Sequence, residues 1–109
     1  MKKQIFVEYD DKNYTLEYNR SSVEKLERQG FTINLVDEKP MTMLPMLFSG
    51  AFLANHSNIK RTVVDAIFNS MNNKTELYGA LGEMYGDTLN SLFEETEGGE
   101  KNVTWEKSF

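Results

Sequence analysis

Ile5-Phe6-Val7-Glu8-Tyr9-Asp10-Asp11-Lys12-Asn13-Tyr14-Thr15-Leu16-Glu17-Tyr18 changes character at every second residue on both sides of a short polar break. Ile5, Val7 and Tyr9 alternate with Phe6 and Glu8, and Tyr14, Leu16 and Tyr18 alternate with Thr15 and Glu17. Side chains on a strand point to opposite faces in turn, so the pattern predicts a β-hairpin that turns at Asp10-Asp11-Lys12-Asn13. A lone hairpin is marginal in water. Something must therefore cover its Ile5/Val7/Leu16 face.

The chain downstream supplies the cover. Ser21 and Glu24 stand at capping-box spacing, and Val23 and Leu26 share a face, which predicts a helix over Ser22–Gln29. Gly30 stands where a helix ends in a left-handed residue, and Phe31 follows as the apolar residue that closes back on Leu26. Phe31–Val36 alternates weakly and reads as an extended segment or a third strand. Asp37–Pro40 reads as a loop. A second helix is expected over Thr42–Ala54 with Pro45 in its first turn. A third is expected over Ile59–Met71, from Ile59, Val63, Ile67 and Met71 at i+4 with Val64 and Phe68 beside them. A fourth is expected over Thr75–Glu95, with Leu77, Leu81, Met84, Tyr85, Leu89, Leu92 and Phe93 on its apolar face. The expected fold class is α+β and mostly helical, a hairpin packed on about four helices. Residues 1–95 make a single domain. Residues 96–109 are polar around Gly98-Gly99 and are expected to form a flexible acidic tail.

Length and charge narrow the function. At 109 residues the chain is one domain with one modest core. Its net charge of −5 opposes a phosphate backbone, so nucleic acid is not an expected partner. The apolar run Met41–Ala54 is too short for a bilayer span and is broken by Pro45, Ser49 and Gly50, so no membrane partner is expected either. There is no cysteine, hence no disulfide framework and no thiolate metal site. His56, the only histidine, lies among Asn55, Ser57 and Asn58, where a solvated or capping role is ordinary. Catalysis and metal binding need several such groups together. No catalytic residue, metal ligand or cofactor is expected, and the chain reads as a non-enzymatic binding protein.

Three features point to partners. The second helix carries Met43, Leu44, Met46, Leu47, Phe48 and Phe52, apolar nearly all round, which suits a core helix that is also a partner-binding surface. Gly79, Gly82 and Gly86 fall on one face of the fourth helix, and each costs roughly 1 kcal/mol there relative to Ala. Their retention suggests close approach by another backbone, either within the fold or from a partner subunit. Trp105 and Phe109 stand alone in a charged tail, where they either dock on a partner or fold back on the domain.

Taken in order, these pieces resemble the tail assembly chaperones of long-tailed bacteriophages, especially those of Gram-positive hosts. The resemblance runs from about Ile5 to Phe93. It is carried by Tyr14-Thr15-Leu16-Glu17-Tyr18-Asn19, by Val23-Glu24-Lys25-Leu26-Glu27 with Gly30, and above all by Leu44-Pro45-Met46-Leu47-Phe48-Ser49-Gly50-Ala51-Phe52. Asn55-His56, Ile59-Lys60, Val63-Val64-Asp65-Ala66-Ile67-Phe68, Glu76-Leu77, Leu81, Glu83-Met84-Tyr85 and Leu89 complete it. The resemblance implies a protein that coats the tape-measure protein, keeps it soluble and assists tail-tube assembly. It also implies self-association, contact with the tail-tube protein, a site of action in the bacterial host cytoplasm, and absence from the mature virion. A structural tail or head-completion subunit is the alternative, and a small regulatory protein-binding module the next.

Overall fold

A computed structural model of the chain describes residues 3–93 and 105–109. The element order is β1 (Ile5–Tyr9), β2 (Lys12–Leu16), α1 (Arg20–Arg28), α2 (Pro40–Gly50), α3 (Arg61–Ser70) and α4 (Lys74–Asn90). Single 3-10 turns lie at Ile33–Leu35 and Ser91–Phe93. The protein is therefore α+β and mostly helical, as the alternation and the helical periodicities predict.

The hairpin turns more tightly than expected. Ile5 pairs with Leu16 and Tyr9 with Lys12, which leaves only Asp10 and Asp11 in the loop. Both take positive φ, 52° and 60°, the geometry whose twist matches the flanking strands. Aspartate tolerates the left-handed region better than most side chains. Leu16 is buried, Ile5, Val7, Tyr9 and Tyr14 pack against the core, and Phe6 and Glu8 face outward.

α1 starts earlier than the Ser21–Glu24 spacing suggests. Asn19 is the cap: its Oδ1 accepts from the Ser22 amide at 2.7 Å, and the Asn19 amide donates to Ser22 Oγ at 2.9 Å. The overlapping Asn19/Ser22 box wins because Tyr18 is already anchored in the core and the chain must turn directly after it. The other end is as expected. Gly30 takes φ +100°, its amide donates to Glu27 and the Phe31 amide to Leu26, each at 3.0 Å.

No third strand forms over 31–36. Phe31 is buried beside Leu26, and residues 32–36 close local i→i−3 bonds instead. The outer edge of β2 is also occupied. The Thr15 amide donates to His56 Nε2 at 3.0 Å, the Thr15 carbonyl accepts from Asn55 Nδ2 at 3.2 Å, and the Glu17 amide donates to the Ala51 carbonyl at 3.0 Å. The turn after α2 thus stands where another strand would add.

α2 begins at Pro40, whose missing N–H is harmless at the first helical position, and Pro45 lies in the helix interior rather than the first turn. The helix ends at Gly50, so Phe52 and Ala54 lie in the following turn. α3 is shorter than predicted, with Ile59 and Met71 outside it but packed against the core. α4 stops at Asn90, where Ser91 Oγ donates back to the Thr88 carbonyl at 2.6 Å and the chain tightens. Leu92 and Phe93 are consequently exposed, not part of the apolar face. Residues 94–104, which hold the expected domain boundary and most of the expected tail, lie outside the described residues.

Aromatic rings tie the layers together. Tyr14, Phe52, Phe48, Phe68 and Tyr78 form a chain of contacts with centroids 5.2–5.9 Å apart, running from β2 through α2 and α3 to α4. A second chain joins Tyr18, Tyr85 and Phe31 at 5.5 and 5.3 Å. Edge-to-face pairs of this kind add about 0.5–1.5 kcal/mol beyond burial.

Tyr18 lends itself to a pH test. Its hydroxyl donates to the Leu47 carbonyl at 2.6 Å, and burial pushes its pKa well above the ordinary tyrosine value. The folded state therefore holds the neutral phenol while the unfolded chain ionises near pH 10. Stability is fully present below about pH 10 and declines above it. Burial raises Tyr78 and Tyr85 in the same direction. Urea midpoints measured from pH 8 to 11 should fall steeply at the alkaline end. Tyr18→Phe should lose about 1 kcal/mol at neutral pH and show a shallower alkaline decline.

Candidate functional site

α2 decides where a partner-binding surface can lie. Met43, Leu47 and Gly50, spaced at i, i+4 and i+7, point inward, and Phe48 joins them. Gly50 lies so close to α1 that an added Cβ would meet Leu26 side-chain atoms at 2.4–2.6 Å. Four of the six residues expected to form the binding surface are thus interior: Met43, Leu47, Phe48 and Phe52. Their burial follows from the contacts of α2 and its exit turn with α1 and α4, with Tyr14 of the hairpin and with Phe68 of α3. Leu44 and Met46 remain half-buried.

The outward side of α2 is apolar as well. Met41, Leu44 and Pro45 follow one another at i, i+3 and i+4, one face of a helix. Met41 is 90% exposed. Ile33, on the 3-10 turn that packs against α2, is also exposed. Sequence reasoning counts Met41 in the Met-rich apolar run without placing it among the six binding residues, and it passes over Ile33. The signal was there in the run Met41-Thr42-Met43-Leu44, but choosing the outward half needed the helix phase, which Pro40 sets.

The three glycines of α4 do not accommodate another part of the fold. A Cβ built on Gly79, Gly82 or Gly86 meets nothing within 4 Å among the described residues. The close internal packing offered as one reading is thereby corrected. Their face looks outward, and Gly50 is the glycine that a neighbouring element crowds. Trp105 and Phe109 are 84% and 96% exposed.

His56 is built into the scaffold. Its Nε2 accepts the Thr15 amide, and its ring contacts Tyr14 at 5.1 Å and Phe52 at 6.4 Å. Glu17 is buried, a feature the alternation did not reveal, and its Oε1 accepts from Asn55 Nδ2 at 2.8 Å. Both residues hold the turn after α2 against β2.

A groove of about 920 Å³ opens between the start of α1 and the end of α4, lined by Lys3, Tyr18, Asn19, Arg20, Asp87 and Thr88 among others. Asp87 is its one carboxylate, and it pairs with Lys3 at 2.8 Å while Glu83 pairs with the same ammonium at 2.9 Å. These acceptors raise the Lys3 pKa, Asp87 contributing most. The groove thus presents the Lys3–Asp87 pair, the Arg20 side chain and hydroxyl groups, with no histidine in its lining. Among the described residues, no group of three or more His, Cys, Asp or Glu is placed to hold a metal ion, and no helix is long and apolar enough to cross a membrane.

Comparison with curated proteins and with solved structures yields no match. The sequence model of one family, described as a domain of unknown function, matches residues 1–109. The chain therefore belongs to the DUF5055 family.

Proposed function

We propose that this protein is a non-enzymatic chaperone of phage tail assembly, binding the tape-measure protein and keeping it soluble until the tail tube forms around it. The observation that carries the reading is the outward face of α2, where Met41, Leu44 and Pro45 continue the apolar character of the buried face, with Ile33 exposed on the 3-10 turn that packs against the same helix. A tape-measure protein is a long helical chain with apolar stripes. It needs a partner with adaptable apolar side chains and an acidic exterior, and a net charge of −5 supplies the latter. Action in the host cytoplasm, contact with the tail-tube protein, self-association and absence from the virion belong to the same proposal.

Two experiments test it. The neighbouring genes should include a tube-protein gene upstream and a very long tape-measure gene downstream, and their absence would remove the reading. On co-expression, this chain should keep the tape-measure protein in the soluble fraction. The double variant Met41→Asp/Leu44→Asp should fold normally. It should weaken client binding by about 3 kcal/mol, the scale of losing two apolar anchors, measured by co-purification and titration calorimetry. A client equally soluble without the chain would sink the proposal.

A further inference from the structure

The chain has six methionines and no cysteine, so thioethers are the sulfurs an oxidant meets. Reaction at a side-chain sulfur follows its access to solvent. Met43 and Met84 are only 5% exposed, and Met46 and Met71 are half-buried against the core. Met41 is 90% exposed. Among the described methionines it is the one in open solvent, and Met1 lies outside the described residues. Met41 is the second residue of α2, one helical turn from Leu44 and Pro45, so the most accessible sulfur stands on the apolar outward face of that helix.

We propose that Met41 is an oxidation site, and that its conversion to the sulfoxide turns off the outward face of α2 as an apolar binding surface. The modification follows from exposure, and its consequence for a client rests on the chaperone reading. The oxidant is a peroxide. A lone pair of the Met41 sulfur attacks a peroxide oxygen, and the S–O bond forms as the O–O bond breaks. The proton of the transferred oxygen goes to the departing hydroxide, which leaves as water. Sulfur is oxidised and the peroxide reduced, with an electron pair changing hands. No thiol in the chain competes for the oxidant, and reversal falls to an external thiol-dependent sulfoxide reductase. The product carries a polar oxygen on the face that Leu44 and Pro45 continue. A partner that buries the thioether would have to bury that oxygen with no donor built to meet it. The fold is spared, because Met41 stands outside the core. The same oxygen on Met43 or Met84 would enter the core and disrupt it. Met41 is thus the methionine at which oxidation changes binding without changing the fold.

The test exposes the full chain to hydrogen peroxide, removes the oxidant with catalase, and maps each methionine by peptide mass spectrometry. Met41 should convert at least about tenfold faster than Met43 or Met84, and faster than Met46 or Met71. When Met41 is converted and those four are not, the thermal midpoint should be unchanged and the chain should elute earlier from a hydrophobic-interaction column. Affinity for the tape-measure protein should fall about tenfold, the scale of an unpaired polar group in an interface. Methionine sulfoxide reductases with dithiothreitol should restore retention and affinity. Met41→Leu should keep both after the same peroxide treatment. Equal oxidation rates across the methionines overturn the proposal, as does a Met41→Leu chain that loses retention as wild type does. If the untreated wild type does not bind the tape-measure protein, the chaperone reading fails, while the oxidation rates and the column retention still decide the proposal.

Discussion

Phe52→Ala is expected to cost about 3–5 kcal/mol, a large share of the roughly 5–15 kcal/mol that holds a domain folded. Phe52 is fully buried, contacts Phe48 at 5.2 Å and Tyr14 at 5.9 Å, and has His56 at 6.4 Å. Truncating it opens a cavity at the point where the hairpin, α2 and the His56 turn meet. The His56–Thr15 bond that closes the β2 edge would loosen with it. Urea denaturation followed by circular dichroism measures the loss, and a value below about 1 kcal/mol would show that the site is not packed as described. Phe52→Asp and Phe48→Asp should fail to fold, because each buries a carboxylate with no built partner. Loss of client binding in those two variants would therefore say nothing about where a client sits. The Met41 and Leu44 positions carry that question instead.

Gly50→Val should be comparably damaging for the opposite reason. The first added carbon already falls 2.4–2.6 Å from three side-chain atoms of Leu26, which is fully buried and has no solvent to swing into. Either Leu26 leaves its rotamer or α2 lifts from α1. Overpacking of this kind costs about 1–3 kcal/mol for small additions, and valine adds two further methyl groups. Gly50→Ala separates the effects. Its gain in helix propensity, about 1 kcal/mol, should be outweighed by the clash. In a Leu26→Ala background the sign should reverse, since the added methyl then fills space that the leucine vacated. If Gly50→Ala alone raises the thermal midpoint, the close approach of α1 and α2 is refuted.

The glycines show where reading the chain succeeds and where it stops. Helical spacing correctly places Gly79, Gly82 and Gly86 on one helix, and the cost of glycine in a helix correctly raises the question of what approaches it. The same argument passes over Gly50, which looks like a helix breaker beside Ser49. Spacing within one element carries no information about which neighbour arrives at which residue. The second helix repeats the lesson. An apolar circumference announces a central helix, but every apolar side looks alike until the neighbours are placed. Once they are, Met43, Leu47, Phe48 and Phe52 are interior and Met41 and Leu44 remain available.

The chain by itself determined the elements that local physics controls. The hairpin followed from period-two alternation, α1 and its Gly30–Phe31 exit from backbone conformation and hydrogen bonds a few residues apart, and α3 and α4 from apolar periodicity, because each depends only on residues near in sequence. The tertiary structure decided what depends on distant ones. It set the Asn19 cap through the anchoring of Tyr18 on Leu47, and closed the β2 edge with Asn55 and His56 from some forty residues away. It also left the β1 edge open and divided the apolar surface of α2 into a half that is packed and a half that faces out. Burial and edge pairing are properties of what lies alongside a residue, and no pattern along one strand or helix states what that will be.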